Sequence, residues 1–299
     1  MLLALMSPRR FDELYASGPD VIIAGGFAPR GQAARQGNQY IVKGRWAFAS
    51  GCQHAEWLFG NCIVLEDGTP KMGSAPGLPE TRAMMFARER GSIIDTWSVS
   101  GMRGTGSHDI AVENLAVAAE DTFDIFGGKS TIAGPCFAEP LLYAALHIGA
   151  VGLGIAARAV DEMLKLAATN KQRLYTQSTI ANGQLFQYRM GHAETSVRAM
   201  RCLLRNEAES VWTSARAERA VPAAERARIM GSITWSAHTA ASVVDVCYAA
   251  GGGTSPYETS PLQRCLRDIH TLTQHAAVAE TWLSGAGAAL LGNTSGLGF

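Results

Sequence analysis

Pro140-Leu-Leu-Tyr-Ala-Ala-Leu-His-Ile-Gly-Ala-Val-Gly-Leu-Gly-Ile-Ala-Ala157 marks a change of period along the chain. Leu141/Leu142, Ala145, Ile148/Gly149, Gly152, Ile155/Ala156, Ala159 and Met163 recur at three- and four-residue intervals, as expected of a helix that buries one stripe. The apolar run Leu141–Ala157 is 17 residues long, contains His147 and is followed by Arg158, Asp161 and Glu162. It therefore reads as a buried core helix and not as a membrane span. Gly152-Leu-Gly-Ile-Ala-Ala157 matches the Gly-x-Gly-x-x-Ala form of a dinucleotide fingerprint. However, no strand precedes it and no acidic residue follows at the required distance, so its glycines are expected to let two helices approach.

Downstream the helical period continues. A second helix carries Leu185, His192, Ser196, Met200, Leu203/Leu204, Val211/Trp212 and Ala215. A third runs from near Pro222 through Ile229, Ile233, Ala237, Ala240, Val244 and Cys247. The fourth starts at Ser260-Pro261, an N-cap serine followed by a first-turn proline, and is predicted to continue through Leu266, Ile269, Leu272 and Trp282. Four such helices make a bundle. Upstream, from about Asp20 to Asp124, Gly, Pro, Asn or Asp punctuate short runs such as Val21-Ile-Ile-Ala, Cys62-Ile-Val-Leu and Ala83-Met-Met-Phe-Ala, the pattern of an all-β unit. The predicted architecture is α+β, with residues 20–130 forming the β domain and 131–299 a four-helix bundle.

Composition narrows the function class. With 26 basic and 26 acidic residues the formal charge is zero, which leaves no electrostatic footprint for nucleic acid or an anionic membrane surface. The six cysteines are scattered, with no Cys-x-x-Cys pair and no zinc spacing, and read as reduced thiols of a cytoplasmic protein. Met1–Met6 is apolar, but Arg9 and Arg10 follow it instead of preceding it, unlike a secretory signal. Ser107-His108-Asp109 cannot form a hydrolytic triad, because adjacent residues do not converge as a triad must; a turn is the expected reading.

Three segments carry a resemblance. They are Gly44-Arg-Trp-Ala-Phe-Ala-Ser-Gly-Cys-Gln-His-Ala-Glu-Trp57, then Trp97-Ser-Val-Ser-Gly-Met-Arg-Gly-Thr-Gly-Ser-His-Asp109, and finally Gly251-Gly-Gly-Thr-Ser-Pro-Tyr257 with Pro261-Leu-Gln-Arg-Cys-Leu-Arg-Asp-Ile-His-Thr-Leu-Thr-Gln-His275. In order and spacing the set resembles the oxygenase components of two-component flavin-dependent monooxygenases, a branch of the acyl-CoA dehydrogenase superfamily that includes para-hydroxyphenylacetate and hydroxylated-steroid hydroxylases. The resemblance implies a barrel-like β domain, a C-terminal bundle and assembly as a homotetramer. It also implies reduced FMN or FAD as co-substrate, O2, a separate flavin reductase and an aromatic or polycyclic substrate hydroxylated through a C4a-hydroperoxyflavin. Only about twenty residues precede the β segment, so residues 1–19 are expected to be a remnant of the family's N-terminal helical domain.

The resemblance also assigns residues. Ser50 falls where the family places a hydroxyl against flavin N5, whereas by itself Ser50-Gly51 reads as a turn after a strand. Trp46 and Phe48, like Trp97, either wall the flavin or pack the barrel. Arg173 falls where a guanidinium meets flavin phosphate, or else lies on a solvated face beside Lys171. Gly251 and Gly252 could offer backbone N–H groups to the cofactor, or simply form an interhelical turn. His275 matches a histidine at the flavin and substrate, able to move a proton near neutral pH. A dehydrogenase of the superfamily would need a glutamate eight residues beyond Asp268, where this chain has Ala276. Glu258 and Glu280 are poor substitutes. An acyl-CoA dehydrogenase-like oxidoreductase, or a non-catalytic paralogue that only oligomerises, are the alternatives.

Overall fold

A computed structural model describes residues 1–74, 77–172 and 178–293. The chain divides into two units, Met1–Val99 with Arg103–Ala138 and Ser100–Met102 with Glu139–Phe299.

The first unit opens with a 3-10 turn, Leu2–Leu5, and helix α1, Pro8–Tyr15. Ser7 caps α1 by accepting the Arg10 N–H at 3.3 Å, with Pro8 in the first turn. Leu3, Ala4, Leu5 and Met6 are buried, and the Ala4 carbonyl accepts the Thr131 N–H at 2.8 Å. Among the described residues eight strands follow: β1 Ile23–Gln36, β2 Gln39–Trp46, β3 Trp57–Glu66, β4 Thr69–Pro70, β5 Thr81–Ala87, β6 Ser92–Ile94, β7 Asp109–Ala118 and β8 Thr122–Phe123. They form one mixed sheet in the order β6-β7-β2-β1-β3-β5-β8, with β4 beside β3. β1 and β3 pair in parallel, with their register broken between Gly26 and Gly31; the other pairings are antiparallel.

The core of this sheet is organised around Trp46, whose ring is 1% exposed. Its indole N–H donates to the Asn61 carbonyl at 2.6 Å, the partner a buried indole needs. Gly26, Gly31, Gly44 and Gly60 press against the ring, and an added Cβ at each would stand 2.2–2.7 Å from its nearest atom. The close approach of three strands to one Trp side chain therefore requires glycine at all four positions. Cys52 and Cys62 are buried here, whereas Cys136 is exposed.

The second unit contains α2 Pro140–Ala168, α3 Gln184–Arg216, α4 Ala223–Gly251, α5 Pro261–Leu272 and α6 Thr281–Leu290. Among the described residues α2 alone is long and apolar enough to cross a membrane, with mean hydropathy 1.7 over its most apolar window and 33% of that window buried. Leu142, Ala145, Gly149, Gly152, Ala156, Ala159 and Met163 form its buried stripe, at the spacing that the sequence predicts. At Gly152 a Cβ would lie 3.6 Å from the Leu272 side chain and 3.8 Å from the Ala237 Cα, ordinary contact distances, and at Gly154 it would meet nothing within 4 Å, so the expected glycine-dependent helix approach is not seen at either position. Cys247 and Cys265 are buried in this bundle, and Cys202 is exposed. On α3, the fully buried Glu207 accepts from the Ser232 hydroxyl at 2.8 Å and pairs with Arg228, which joins α3 to α4.

One helix boundary differs from the expectation. Ser260 caps α5 as predicted, accepting the Leu262 N–H at 3.3 Å, but the helix ends at Leu272. Trp282 belongs to a separate helix, α6, after a 3-10 turn at Ala276–Val278. The break has a local cause: His275 Nδ1 accepts the Ala277 N–H at 3.1 Å, so the side chain satisfies a donor that a continuing helix would have bonded internally.

Candidate active site

In the sheet unit the first two sequence segments meet. The Ala49 N–H donates to the His108 carbonyl at 3.1 Å and the Gly51 N–H to the Thr105 carbonyl at 2.8 Å, so the backbone on each side of Ser50 is held by residues 105–108. Gly51 has φ +78°, a left-handed turn that glycine adopts without a Cβ penalty, and the space its Cβ would occupy is open. Ser50 is exposed, and its hydroxyl lies 2.7 Å from that of Ser107, which in turn lies 2.7 Å from the Thr105 hydroxyl. Ser107 is only 5% exposed. The result is a row of three hydroxyls, with the buried Ser107 between half-buried Thr105 and exposed Ser50.

Behind this row, His108 is 7% exposed and structural. Its Nδ1 lies 3.2 Å from the Thr96 N–H nitrogen, 3.3 Å from that of Trp97 and 3.2 Å from the Asp95 carboxylate. Asp109 joins the same frame, accepting from the Thr96 hydroxyl at 2.9 Å and from Arg45 at 2.7 Å. No triad is formed, in keeping with the sequence reading, but Ser107 is more than a turn residue.

Two aromatic residues of the first segment have opposite fates. Trp46 is enclosed by glycine backbone and offers no ring face to a cofactor; of its two readings, packing is the one this structure supports. Phe48, two residues later, is 71% exposed and has φ 64°. A bulky side chain in the left-handed region costs of the order of 1–3 kcal/mol, and such strain persists where the surroundings hold it. Its ring meets Trp97 edge-to-face at 6.3 Å. An exposed aromatic, a hydroxyl and an open glycine turn side by side fit the edge of a planar heteroaromatic ring system.

The bundle unit holds the third segment. Gly251 and Gly252 end α4, so helix-end polarity there disfavours an anion. A Cβ at Gly251 would stand 2.2 Å from the Ser255 hydroxyl, and the Gly252 N–H already donates to the Ala249 carbonyl. Packing and chain reversal account for the geometry of both glycines. Arg267 and Asp268 hold the Ser100–Met102 stretch: Arg267 donates to the Ser100 carbonyl at 2.8 Å, and Asp268 accepts the Met102 N–H at 2.6 Å. Gly101 lies so close to α5 that a Cβ would be 2.0 Å from the Arg267 carbonyl oxygen.

His275 follows on an exposed stretch, its Nδ1 engaged by the Ala277 N–H and Nε2 left carrying the proton. Burial of the ring among its neighbours lowers its pKa from the ordinary value of 6.5, which keeps the imidazole neutral at pH 7. Ser50 and His275 thus belong to different units. Arg173 lies outside the described residues. Among the described residues, no group of three His, Cys, Asp or Glu side chains could hold a metal ion.

Comparison with known proteins agrees with this anatomy. Residues 146–280 match the family "Acyl-CoA dehydrogenase, C-terminal domain". The indole-3-acetate monooxygenase of Pseudomonas putida is 32% identical over 97% of this chain and 72% of its own length. The flavin-dependent monooxygenase oxygenase subunit HsaA of Rhodococcus jostii is 26% identical over 92% of this chain and 72% of its own. XiaF from a Streptomyces species, solved in complex with FADH2 and glycerol, superposes with a TM-score of 0.87 over 97% of this chain and 74% of that one, at 23% identity, a likeness of fold. The chain belongs to the flavin-dependent monooxygenases of acyl-CoA dehydrogenase fold.

Proposed function

We propose that this chain is the oxygenase component of a two-component monooxygenase, which takes reduced FMN or FAD from a separate reductase and hydroxylates an aromatic or polycyclic small molecule. The observation that carries the reading is the exposed Ser50 hydroxyl, held between Phe48 and Gly51 and backed by Ser107. Bound reduced flavin supplies the two electrons with which O2 gives one oxygen atom to the substrate and the other to water. Ser50 would hold the ring at N5, Phe48 and Trp97 would shield its edge from water, and Arg173 would meet the phosphate. His275, neutral with its proton on Nε2, moves a proton at the substrate. We place the enzyme in the cytoplasm as a homotetramer; exposed Leu164, Trp212 and Trp235 on the bundle supply apolar surface for subunit contacts.

Indole-3-acetate is the first substrate to try, because the Pseudomonas putida relative is named for it. The protein is mixed anaerobically with FADH2 or FMNH2, then exposed to O2 with indole-3-acetate or p-hydroxyphenylacetate. A product one oxygen atom heavier supports the proposal. Reduced flavin that returns entirely as oxidised flavin and hydrogen peroxide, across an aromatic substrate panel, overturns it.

A further inference from the structure

We infer that Ser107 is the positioning residue for the Ser50 hydroxyl, and that the row Thr105–Ser107–Ser50 can run in either direction, so that Ser50 presents a lone pair to one flavin redox state and a proton to the other. This rests on the reading of Ser50 as the flavin-facing hydroxyl.

Each hydroxyl has one proton and two lone pairs, and both oxygen-oxygen separations are 2.7 Å, the usual length of an O–H···O bond. Ser107 sits between the other two, 5% exposed. If Ser50 and Thr105 both donated to it, its own proton would be left buried and without a partner, an arrangement that costs more than either chain. Ser107 therefore accepts from one neighbour and donates to the other. Two states remain. With Thr105 donating to Ser107 and Ser107 to Ser50, the Ser50 proton points outward. With Ser50 donating inward, its lone pairs face outward.

These two faces match what flavin N5 requires. Reduced flavin carries a hydrogen on N5 and needs an acceptor, whereas oxidised flavin has a bare N5 and needs a donor. A lone exposed serine could also rotate to either role, but it would have to find its orientation from many. Here the backbone bonds from Ala49 and Gly51 fix the Cβ, and Ser107 restricts the hydroxyl to two settings. Reversal turns the O–H bonds of Ser50 and Ser107 about oxygens already at hydrogen-bond distance. Sequence reading passes over Ser107 because its partner is 57 residues away.

The test uses Ser107→Ala, Ser50→Ala, their double variant, and Thr105→Val, which keeps the side-chain volume and removes the outer hydroxyl of the row. Equilibrium dissociation constants for reduced and oxidised flavin are measured separately and anaerobically. The fraction of reduced flavin returned as peroxide on admission of O2 is also measured. Ser107→Ala is expected to weaken reduced-flavin binding by about 3- to 10-fold, the size of one hydrogen bond, and to raise the peroxide fraction. Thr105→Val is expected to shift both in the same direction by less. The double variant should match Ser50→Ala alone, because Ser107 acts through Ser50. If Ser50→Ala weakens binding but Ser107→Ala and Thr105→Val do not, or if the Ser50 and Ser107 effects add in full, the inference falls and the proposed function stands. If Ser50→Ala leaves both constants unchanged, the role of Ser50 falls and the inference with it.

Discussion

The sheet unit and the bundle treat their marked sequence segments in opposite ways. In the sheet unit, residues 48–51 and 105–108 converge, and a strained Phe48, a left-handed Gly51 and a row of hydroxyls are assembled there by backbone hydrogen bonds. In the bundle, most of the third segment is scaffolding. Gly251 admits Ser255, Arg267 and Asp268 clamp residues 100–102, His270 bonds Asp245, and His275 lies at a break between helices with its Nδ1 on the Ala277 N–H. A sheet can bring distant loops to one rim, whereas a bundle spends its recurring residues on helix approach and keeps chemistry for the places where a helix stops.

Substitutions at five positions test that contrast. Trp46→Ala should cost about 3–5 kcal/mol, since it empties the centre of the sheet core. Gly60→Ala, whose Cβ would stand 2.3 Å from the indole, should cost about 1–3 kcal/mol in the native background and much less alongside Trp46→Ala. Urea denaturation of both single variants and the double reads the coupling; additive effects would deny that the glycines serve the indole. Next, Asp268→Ala removes the acceptor for the Met102 N–H and should cost about 1.5–3 kcal/mol, with Asp268→Asn recovering part. Equal losses in the two variants would mean that the clamp is not a hydrogen bond.

Phe48→Gly should make the protein more stable by about 1 kcal/mol, because it relieves a φ of 64° at little cost in buried surface, while flavin is held less well. A variant that is both less stable and unimpaired in flavin binding would remove the case for functional strain. The smallest effect is at His275. Its folded pKa lies below the ordinary 6.5, so the unfolded chain binds its proton first as pH falls. The stability linked to this ring is complete above about pH 6.5 and declines as pH drops through that value towards the folded pKa. An imidazole NMR titration with its midpoint below 6.5, absent in His275→Asn, is expected.

Much of the fold was legible because period is a local property. The stripe on α2, the switch near Pro140 and the Ser260-Pro261 start are visible in the sequence and recur in the structure. The end of α5 was not legible, because Thr273 to Glu280 contains neither Gly nor Pro and the stop is made by an imidazole bonding a backbone amide. The site was legible in part. Ser50 and Phe48 are exposed and Trp46 is buried, a difference the sequence did not reveal, since burial under four glycines depends on strand pairing and not on spacing. Ser107 was hidden for a related reason: a hydroxyl acquires its meaning from the hydroxyl it faces, and that partner is on another segment.

The placement of the cysteines bears on chemical endurance. Burial raises the thiol pKa of Cys52 and Cys265, and pushes those of Cys62 and Cys247 up to about 12, so all four stay protonated at neutral pH. Peroxide oxidises thiolates, not thiols. A catalyst that handles reduced flavin beside dioxygen works within reach of its own oxidising by-product, and this chain keeps its interior sulfur in the form least open to that damage, leaving Cys136 and Cys202 on the outside to meet it first.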